Sequence, residues 1–152
     1  YRDSKVKHND DIVLRVWLEL AQGDSEVLLQ QLKDTVEARK ETQPLHAGSA
    51  GCIFKNFEFS DVSEIEKLVS ATDVPEPMIT GKRISAGWII DQADLKGTRI
   101  GDSAISDEHG NFLINHGKAT ADEIVQLIAL VKTRVRTQFG IQLQEEVQYL
   151  GF

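Results

Sequence analysis

The 152-residue sequence contains a single cysteine, Cys52. One thiol cannot form an internal disulfide or a multi-cysteine metal site, so we expect a protein of a reducing compartment, the cytoplasm. The sequence also lacks any apolar run near the roughly 20 residues that span a bilayer, so we expect no membrane association. Lys and Arg total 17 against 24 for Asp and Glu, a net charge of −7. This excess of acidic residues argues against nucleic acid as a partner.

Histidine is scarce, and the common nucleotide-binding motifs are missing. The four histidines include no pair at helical spacing, so we expect no metal site; they are His8, His46, His109 and His116. The sequence has neither the glycine fingerprint of dinucleotide-binding domains nor a Gly-x-x-x-x-Gly-Lys phosphate loop. Function therefore has to be sought in other residues.

What the sequence does contain is an interleaved pattern of strand and helix periodicities, which predicts an α+β fold. Alternating apolar residues predict strands over 12–20 and 141–150, and shorter strands are predicted over 99–106 and 112–114. Helical spacing predicts helices over 25–40, 62–69, 85–96 and 121–139. Thr120 and Glu123 predict a capping box at the start of the last helix. Residues 42–56 are predicted to form an ordered loop that leads into a short strand, and residues 75–83 a loop, because proline and glycine interrupt both periods.

A small-residue stretch at 48–51 precedes Cys52 and is the most conspicuous local feature. Its two glycines allow backbone amides to approach a ligand, and Lys55 and Asn56 beyond it can hold a phosphate or an amide group. A tight turn with a buried cysteine explains the same residues equally simply. Glu146 and Arg2 are further candidates, although each also fits an exposed surface charge.

Four separated stretches, taken together and in this order, resemble one family. They are residues 1–4 (YRDS), 49–56 (SAGCIFKN), 86–92 (AGWIIDQ) continuing to 95–97 (LKG), and 143–147 (LQEEV) with Gly151. The family is UDP-N-acetylenolpyruvoylglucosamine reductase, the bacterial flavoenzyme that makes UDP-N-acetylmuramate. The resemblance implies a role in peptidoglycan synthesis, and hence in cell-wall biogenesis, cell shape and division.

The resemblance implies that NADPH reduces FAD, which then delivers hydride to C3 of the enolpyruvyl ether of UDP-N-acetylglucosamine. It implies that Arg2 and Glu146 meet the charge that develops on the substrate carboxylate, and that Cys52 protonates C2, where the family usually has serine. It also implies residues that hold the ligands. These are Tyr1, Lys55, Asn56 and Gln92 for the substrate, and Gly51 and Arg2 for the flavin.

The resemblance further implies a domain organisation. Residues 22–140 would form the substrate-binding domain of mixed sheet and helices, residues 1–21 the end of an FAD-binding domain, and residues 141–152 a terminal strand at the junction. Because the sequence begins at Tyr1 and the family's flavin is held mainly by preceding sequence, we expect an incomplete, inactive portion whose partner is that N-terminal region. Two alternatives stay open: a nucleotide-sugar binding module without activity, or a thiol enzyme that pairs Cys52 with His46.

Overall fold

The computed structural model describes residues 4–9 and 11–151. The chain divides into two compact units, residues 1–41 and residues 42–152. The predicted division after residue 21, between a flavin domain and a substrate domain, stays a prediction.

The main element of the first unit is the helix α1 (Ser25–Thr42), close to the predicted bounds. Asp24 begins the helix by accepting hydrogen bonds from the backbone N–H groups of Glu26 at 2.9 Å and Val27 at 3.0 Å. These amides belong to the first turn, which has no partner within the helix, so the aspartate stabilises its start. A short 3₁₀ helix, Lys5–His8, lies nearer the beginning of the chain.

The strand predicted over 12–20 is wrong, because residues 11–24 form neither helix nor strand. Their apolar side chains are exposed, with Leu14 at 90% and Trp17 at 77%. A strand requires backbone hydrogen bonds from a neighbouring strand. The alternation marks a segment suited to pairing, but no strand of the described chain pairs with it.

The second unit contains an antiparallel four-stranded sheet in the order β1-β6-β5-β4. Its strands are β1 (Gly48–Cys52), β4 (Arg99–Ile100), β5 (Ser103–Ile105) and β6 (Phe112–Asn115). A separate two-stranded ladder pairs β2 (Phe57–Glu58) with β3 (Arg83–Ile84). Antiparallel sheet and separate helices confirm the predicted α+β class.

A 3₁₀ helix, Val62–Ile65, accompanies these strands, as do four α-helices among the described residues. They are α2 (Glu66–Ala71), α3 (Glu76–Thr80), α4 (Ala86–Gln92) and α5 (Ala121–Phe139). The loop predicted over 75–83 is wrong, since it contains α3 and part of β3. Pro77 lies in the first turn of α3, where its missing N–H has no intrahelical partner to lose. Among the described residues, no helix is both long and apolar enough to cross a membrane.

The helix α5 supplies much of the core, as its apolar spacing predicted. Its buried residues are Leu127, Ile128, Val131, Val135 and Phe139. The predicted capping box is present: the Thr120 hydroxyl accepts from Glu123 N at 3.2 Å, and the Glu123 carboxylate accepts from Thr120 N at 3.0 Å. Gly140 ends the helix in the left-handed region, with φ of 76°.

The tail after α5 is extended but is not the predicted strand. Ile141 and Leu143 are each 1% exposed, as the alternation predicted. Regular pairing is limited to one antiparallel bridge between Phe54 and Glu145. The tail runs beside only the short stretch of chain between β1 and β2, so there is too little partner backbone for a longer ladder.

Candidate functional site

The segment of residues 52–56 carries three of the predicted site side chains; it begins at the last residue of β1 and ends at the residue before β2. Its middle residues Ile53 and Phe54 are 1% and 2% exposed. Cys52, Lys55 and Asn56 are half-buried. The two apolar residues therefore anchor the segment in the core, and the polar residues on either side stand at the rim of the unit.

The tail brings Glu146 to this segment. Glu146 N donates a hydrogen bond to Ile53 O at 2.7 Å, and Lys55 N donates to Gln144 O at 2.8 Å. The backbone of Glu146 therefore lies beside the residue that follows Cys52. The structure thus joins two predicted site segments that are far apart in the sequence.

The small-residue stretch before Cys52 lies where an ordered loop leading into a short strand was predicted, and it forms the edge strand β1. The pairing of β1 with β6 slips between Ser49 and Cys52, which forms a bulge. Gly51 lies in this bulge with φ of 82°, a conformation that favours glycine. A Cβ built on Gly51 would have no heavy atom within 4 Å. The space on the Cβ side of Gly51 is therefore open.

Asn56 links the segment to α4. Its Oδ1 accepts a hydrogen bond from Ala86 N, the first residue of that helix, at 3.0 Å. Gln92 is the last residue of α4 and is exposed. A rise of 1.5 Å per residue separates the two ends of this helix by about 9 Å along its axis. A ligand held by both Asn56 and Gln92 would have to be elongated.

Asn111 is a residue of this site that the sequence analysis missed. It is 4% exposed, yet its side chain binds the backbone of Phe54 twice. Phe54 N donates to Asn111 Oδ1 at 2.9 Å, and Asn111 Nδ2 donates to Phe54 O at 2.8 Å. The sequence shows only an asparagine after a predicted turn, and no local signal reveals a partner 57 positions away.

A polar cluster fastens the tail to α5 beside Glu146. Lys132 Nζ donates to Glu145 Oε1 at 2.6 Å, and Tyr149 OH donates to Glu145 Oε2 at 2.9 Å. The hydrogen bond from Lys132 lowers the pKa of Glu145. Burial, and then the bond to Glu145, raise the pKa of Tyr149 to about 12. The carboxylate of Glu145 is therefore charged and engaged at neutral pH.

Three other predicted residues are Tyr1, Arg2 and His46. Tyr1 and Arg2 lie outside the described residues. His46 Nδ1 lies 3.5 Å from Glu108 Oε1, and its predicted pairing with Cys52 stays a prediction. Within residues 4–9 and 11–151, no group of three or more His, Cys, Asp or Glu side chains is arranged to hold a metal ion.

Comparison with known proteins adds to this geometry. Residues 43–150 match the family model of the UDP-N-acetylenolpyruvoylglucosamine reductase, C-terminal domain. The chain belongs to this reductase family. The match to the reductase domain begins one residue after the start of the second compact unit at Thr42.

Individual reductases are similar along almost the whole chain. Those of Solibacter usitatus and Chlamydia pneumoniae are each 36% identical over 152 residues. These matches cover 99% and 100% of this chain but 47% and 41% of the relatives, so the chain spans less than half their length. The crystal structure of the Thermus caldophilus reductase matches with a TM-score of 0.58 and 33% identity, over 86% of this chain and 37% of that one.

Proposed function

We propose that the protein containing this chain is an FAD-dependent, NADPH-using reductase. It converts UDP-N-acetylglucosamine enolpyruvate to UDP-N-acetylmuramate for peptidoglycan synthesis. The observation that carries the proposal is the backbone pairing of Glu146 with the segment that follows Cys52, within a domain of the reductase family. This chain supplies the substrate-binding part, and the N-terminal region holds most of the FAD.

Two side chains of the second unit act at the reacting double bond in this proposal. The bound flavin supplies hydride to C3 of the enolpyruvyl ether. Cys52 donates the proton from Sγ to C2, so that hydride and proton together saturate the C2–C3 bond. Glu146, in its acid form, donates a hydrogen bond to the substrate carboxylate, where negative charge develops, and Arg2 adds a positive charge there. Gly51 leaves open space for the flavin on its Cβ side.

The remaining predicted residues hold the rest of the substrate. Lys55 and Asn56 are half-buried beside Cys52, where an ammonium and an amide can bind the sugar diphosphate. Gln92 and Tyr1 complete the set. The separation of about 9 Å across α4 suits an elongated nucleotide sugar. Because a thiol donor is open to oxidation, a reducing compartment such as the bacterial cytoplasm suits the reaction.

The proposal is tested by separating the two half-reactions in the full-length protein by stopped-flow absorbance. In a Cys52→Ala variant we expect NADPH to reduce the flavin at the parental rate, because that step needs no proton at C2. Reoxidation by the enolpyruvyl substrate should slow by about 10²- to 10⁴-fold. Cys52→Ser is the control, since a hydroxyl can still donate a proton. Reoxidation of Cys52→Ala at the parental rate would remove Cys52 from the mechanism.

A further inference from the structure

The side chain of Asn111 occupies the position that a neighbouring strand would otherwise take beside Phe54. We propose that Asn111 is a positioning residue, which holds the segment of residues 53–55 so that Cys52 and Glu146 meet at one site. The inference rests on the proposed function, because it assigns Asn111 to the same protonation step. Asn111 acts through the backbone of this segment and is not itself required to touch substrate.

The segment of residues 53–55 is bonded on two sides. On one side, Ile53 N donates to Asn111 O at 2.9 Å, in addition to the two bonds between the Asn111 side chain and Phe54. On the other side lie the two bonds to the tail at Gln144 and Glu146. The segment is therefore fixed between Asn111 and the tail.

The regular β1–β6 ladder ends at Cys52, just before the segment that Asn111 holds. Cys52 is opposite Phe112, the first residue of β6, and Asn111 immediately precedes that strand. Beyond Cys52 one backbone bond follows, from Ile53 N to Asn111 O, and at Phe54 the Asn111 side chain takes over because the chain before β6 turns away. An amide can replace a strand here because it offers one donor and one acceptor, the same pair that a backbone residue offers.

Because Phe54 is buried, loss of its two hydrogen bonds to the Asn111 side chain would be costly. Phe54 is 2% exposed, so its backbone groups cannot turn to water without moving the segment. A buried backbone donor and acceptor left without partners are strongly unfavourable. Without the Asn111 side chain, residues 53–55 should shift to find other partners. Cys52 would move with them, and the bond that Glu146 N donates to Ile53 O would be displaced.

Asn111 is itself held by His109, whose ring packs against the start of α4. Its backbone N–H donates to His109 Nδ1 at 3.2 Å. Burial lowers the pKa of His109, which favours the neutral ring that can accept this bond. A Cβ at Gly87 would lie 2.8 Å from His109 Cε1, so α4 packs directly on this ring. The same helix begins at Ala86, whose N–H donates to Asn56. The contacts therefore lead from Phe54 through Asn111, His109 and α4 back to Asn56, two residues further along the same segment.

Asn111→Ala is the direct test, made in the full-length protein. We expect flavin reduction by NADPH to stay within about twofold of the parent, and reoxidation by the enolpyruvyl substrate to slow by about 10- to 100-fold, the effect of a small misplacement of a reacting group. Asn115→Ala is the matched control. Asn115 also bonds backbone with its side chain, accepting from Gly117 N at 2.7 Å and Ala119 N at 3.0 Å, but these lie in the turn before α5. This control should leave both half-reactions near their parental rates.

A second measurement needs no bound substrate or flavin chemistry. The rate at which iodoacetamide alkylates Cys52, followed by mass spectrometry of its peptide, should rise about fivefold or more in Asn111→Ala as the half-buried thiol is released. Asn115→Ala should stay within about twofold. Asn111→Asp covers the case in which the alanine variant does not fold: protonation of the buried carboxyl restores the donor, so its reoxidation rate relative to the parent should rise as pH falls.

The outcomes separate this inference from the proposed function. If the unmodified protein is not reoxidised by the substrate, the proposed function fails, and the alkylation rates then decide on the role of Asn111 alone. If it is reoxidised, parental reoxidation and alkylation rates in Asn111→Ala overturn the inference. So does an equal loss in both half-reactions, because a general loss of structure would produce it. For Asn111→Asp, a relative rate that does not change with pH has the same effect.

Discussion

Glu145 and Glu146 are adjacent carboxylates with different neighbours. The carboxylate of Glu145 accepts from Lys132 on α5 and from Tyr149 in the tail. Glu146 follows directly, and its backbone N–H binds Ile53 O. The Lys132–Glu145 ion pair therefore fixes the tail at the residue before the predicted catalytic glutamate. We infer that Glu145 contributes to the site by holding its neighbour in place.

Glu145→Gln should lower the free energy of unfolding by about 1 kcal/mol at neutral pH, because it removes the charge that Lys132 binds. The pKa of Glu145 is lowered in the folded protein from its ordinary value of 4.5. Its contribution is therefore complete above that value and is lost as pH falls through the lower folded value. Urea unfolding at a series of pH values should show the difference between parent and variant shrinking in acid.

Glu19→Gln is the control for this measurement, since Glu19 is an exposed carboxylate in the segment before α1. It should leave the free energy of unfolding unchanged at each pH. A difference between parent and Glu145→Gln that stays constant from neutral pH into acid would contradict the assigned role of the ion pair.

At the scale of elements, the end of α5 determines where the tail begins. Gly140 N donates to Arg136 O at 2.9 Å, with Gly140 in the left-handed region. Lys67 Nζ also donates to Thr137 O in the last turn, which ties α2 to the end of α5. The chain leaves the helix in the direction that buries Ile141. The position of the tail, and through it Glu146, depends on this turn.

Gly140→Ala should therefore destabilise the protein by about 1 kcal/mol, the cost of a left-handed conformation for a residue with a Cβ. Space is not the cause, because the nearest atom to an added Cβ would be Lys67 Cδ at 3.6 Å. Thermal or urea unfolding measures the loss. Gly48→Ala is the matched control, since an added Cβ there meets only Asn115 Cβ at 4.0 Å. Equal stability of Gly140→Ala and the parent would show that this turn can relax.

The elements also show which features could be predicted from the sequence. Thr120, Glu123 and Gly140 act within a few residues of their own position, so the bounds of α5 could be predicted. The strand over 12–20 could not be judged from its own residues, because a strand depends on its partner. The loop predicted around Pro77 was wrong because the proline was taken to end a helix, whereas it lies in the first turn of α3.

The candidate site could likewise be predicted only in part from the sequence. Its residues could be chosen only by resemblance, because Cys52 and Glu146 look locally like a buried thiol and a surface carboxylate. Their approach depends on pairing between the tail and residues 53–55. Asn111 could not be chosen at all, because its partner is distant in the sequence and its own neighbours resemble an ordinary turn.

At the scale of the whole chain, the two compact units differ in what they bury. The second has a continuous apolar core that runs from Ile53 to Leu143. In the first, no residue of α1 is buried, and Leu14, Trp17 and Leu18 are at least 77% exposed. Large apolar side chains exposed in this number are typical of an interface. We propose that the N-terminal region of the full-length reductase covers it.

Residues 42–152 produced alone should consequently bind less of the dye anilinonaphthalene sulfonate per molecule than the 152-residue chain, because the dye reports exposed apolar surface. Dye fluorescence at matched protein concentration is the measurement. In the longer chain, replacing Leu14, Trp17 and Leu18 with serine should lower the signal, whereas Gln30→Ser on α1 should not. Equal dye binding by the two lengths of chain would show that the first unit covers its own apolar side chains.

The bonds from the tail to residues 53–55 also have a consequence for synthesis on the ribosome. Cys52 leaves the ribosome well before the residues that complete its surroundings, since Asn111 follows later and Gln144 and Glu146 later still. Domains generally fold as units while the chain emerges. Here Ile141 and Leu143 are core members as well, so the second unit cannot close until they have been made. A product that terminates soon after α5 would lack the tail that bonds residues 53–55. These residues and Cys52 would then be exposed to quality-control proteases.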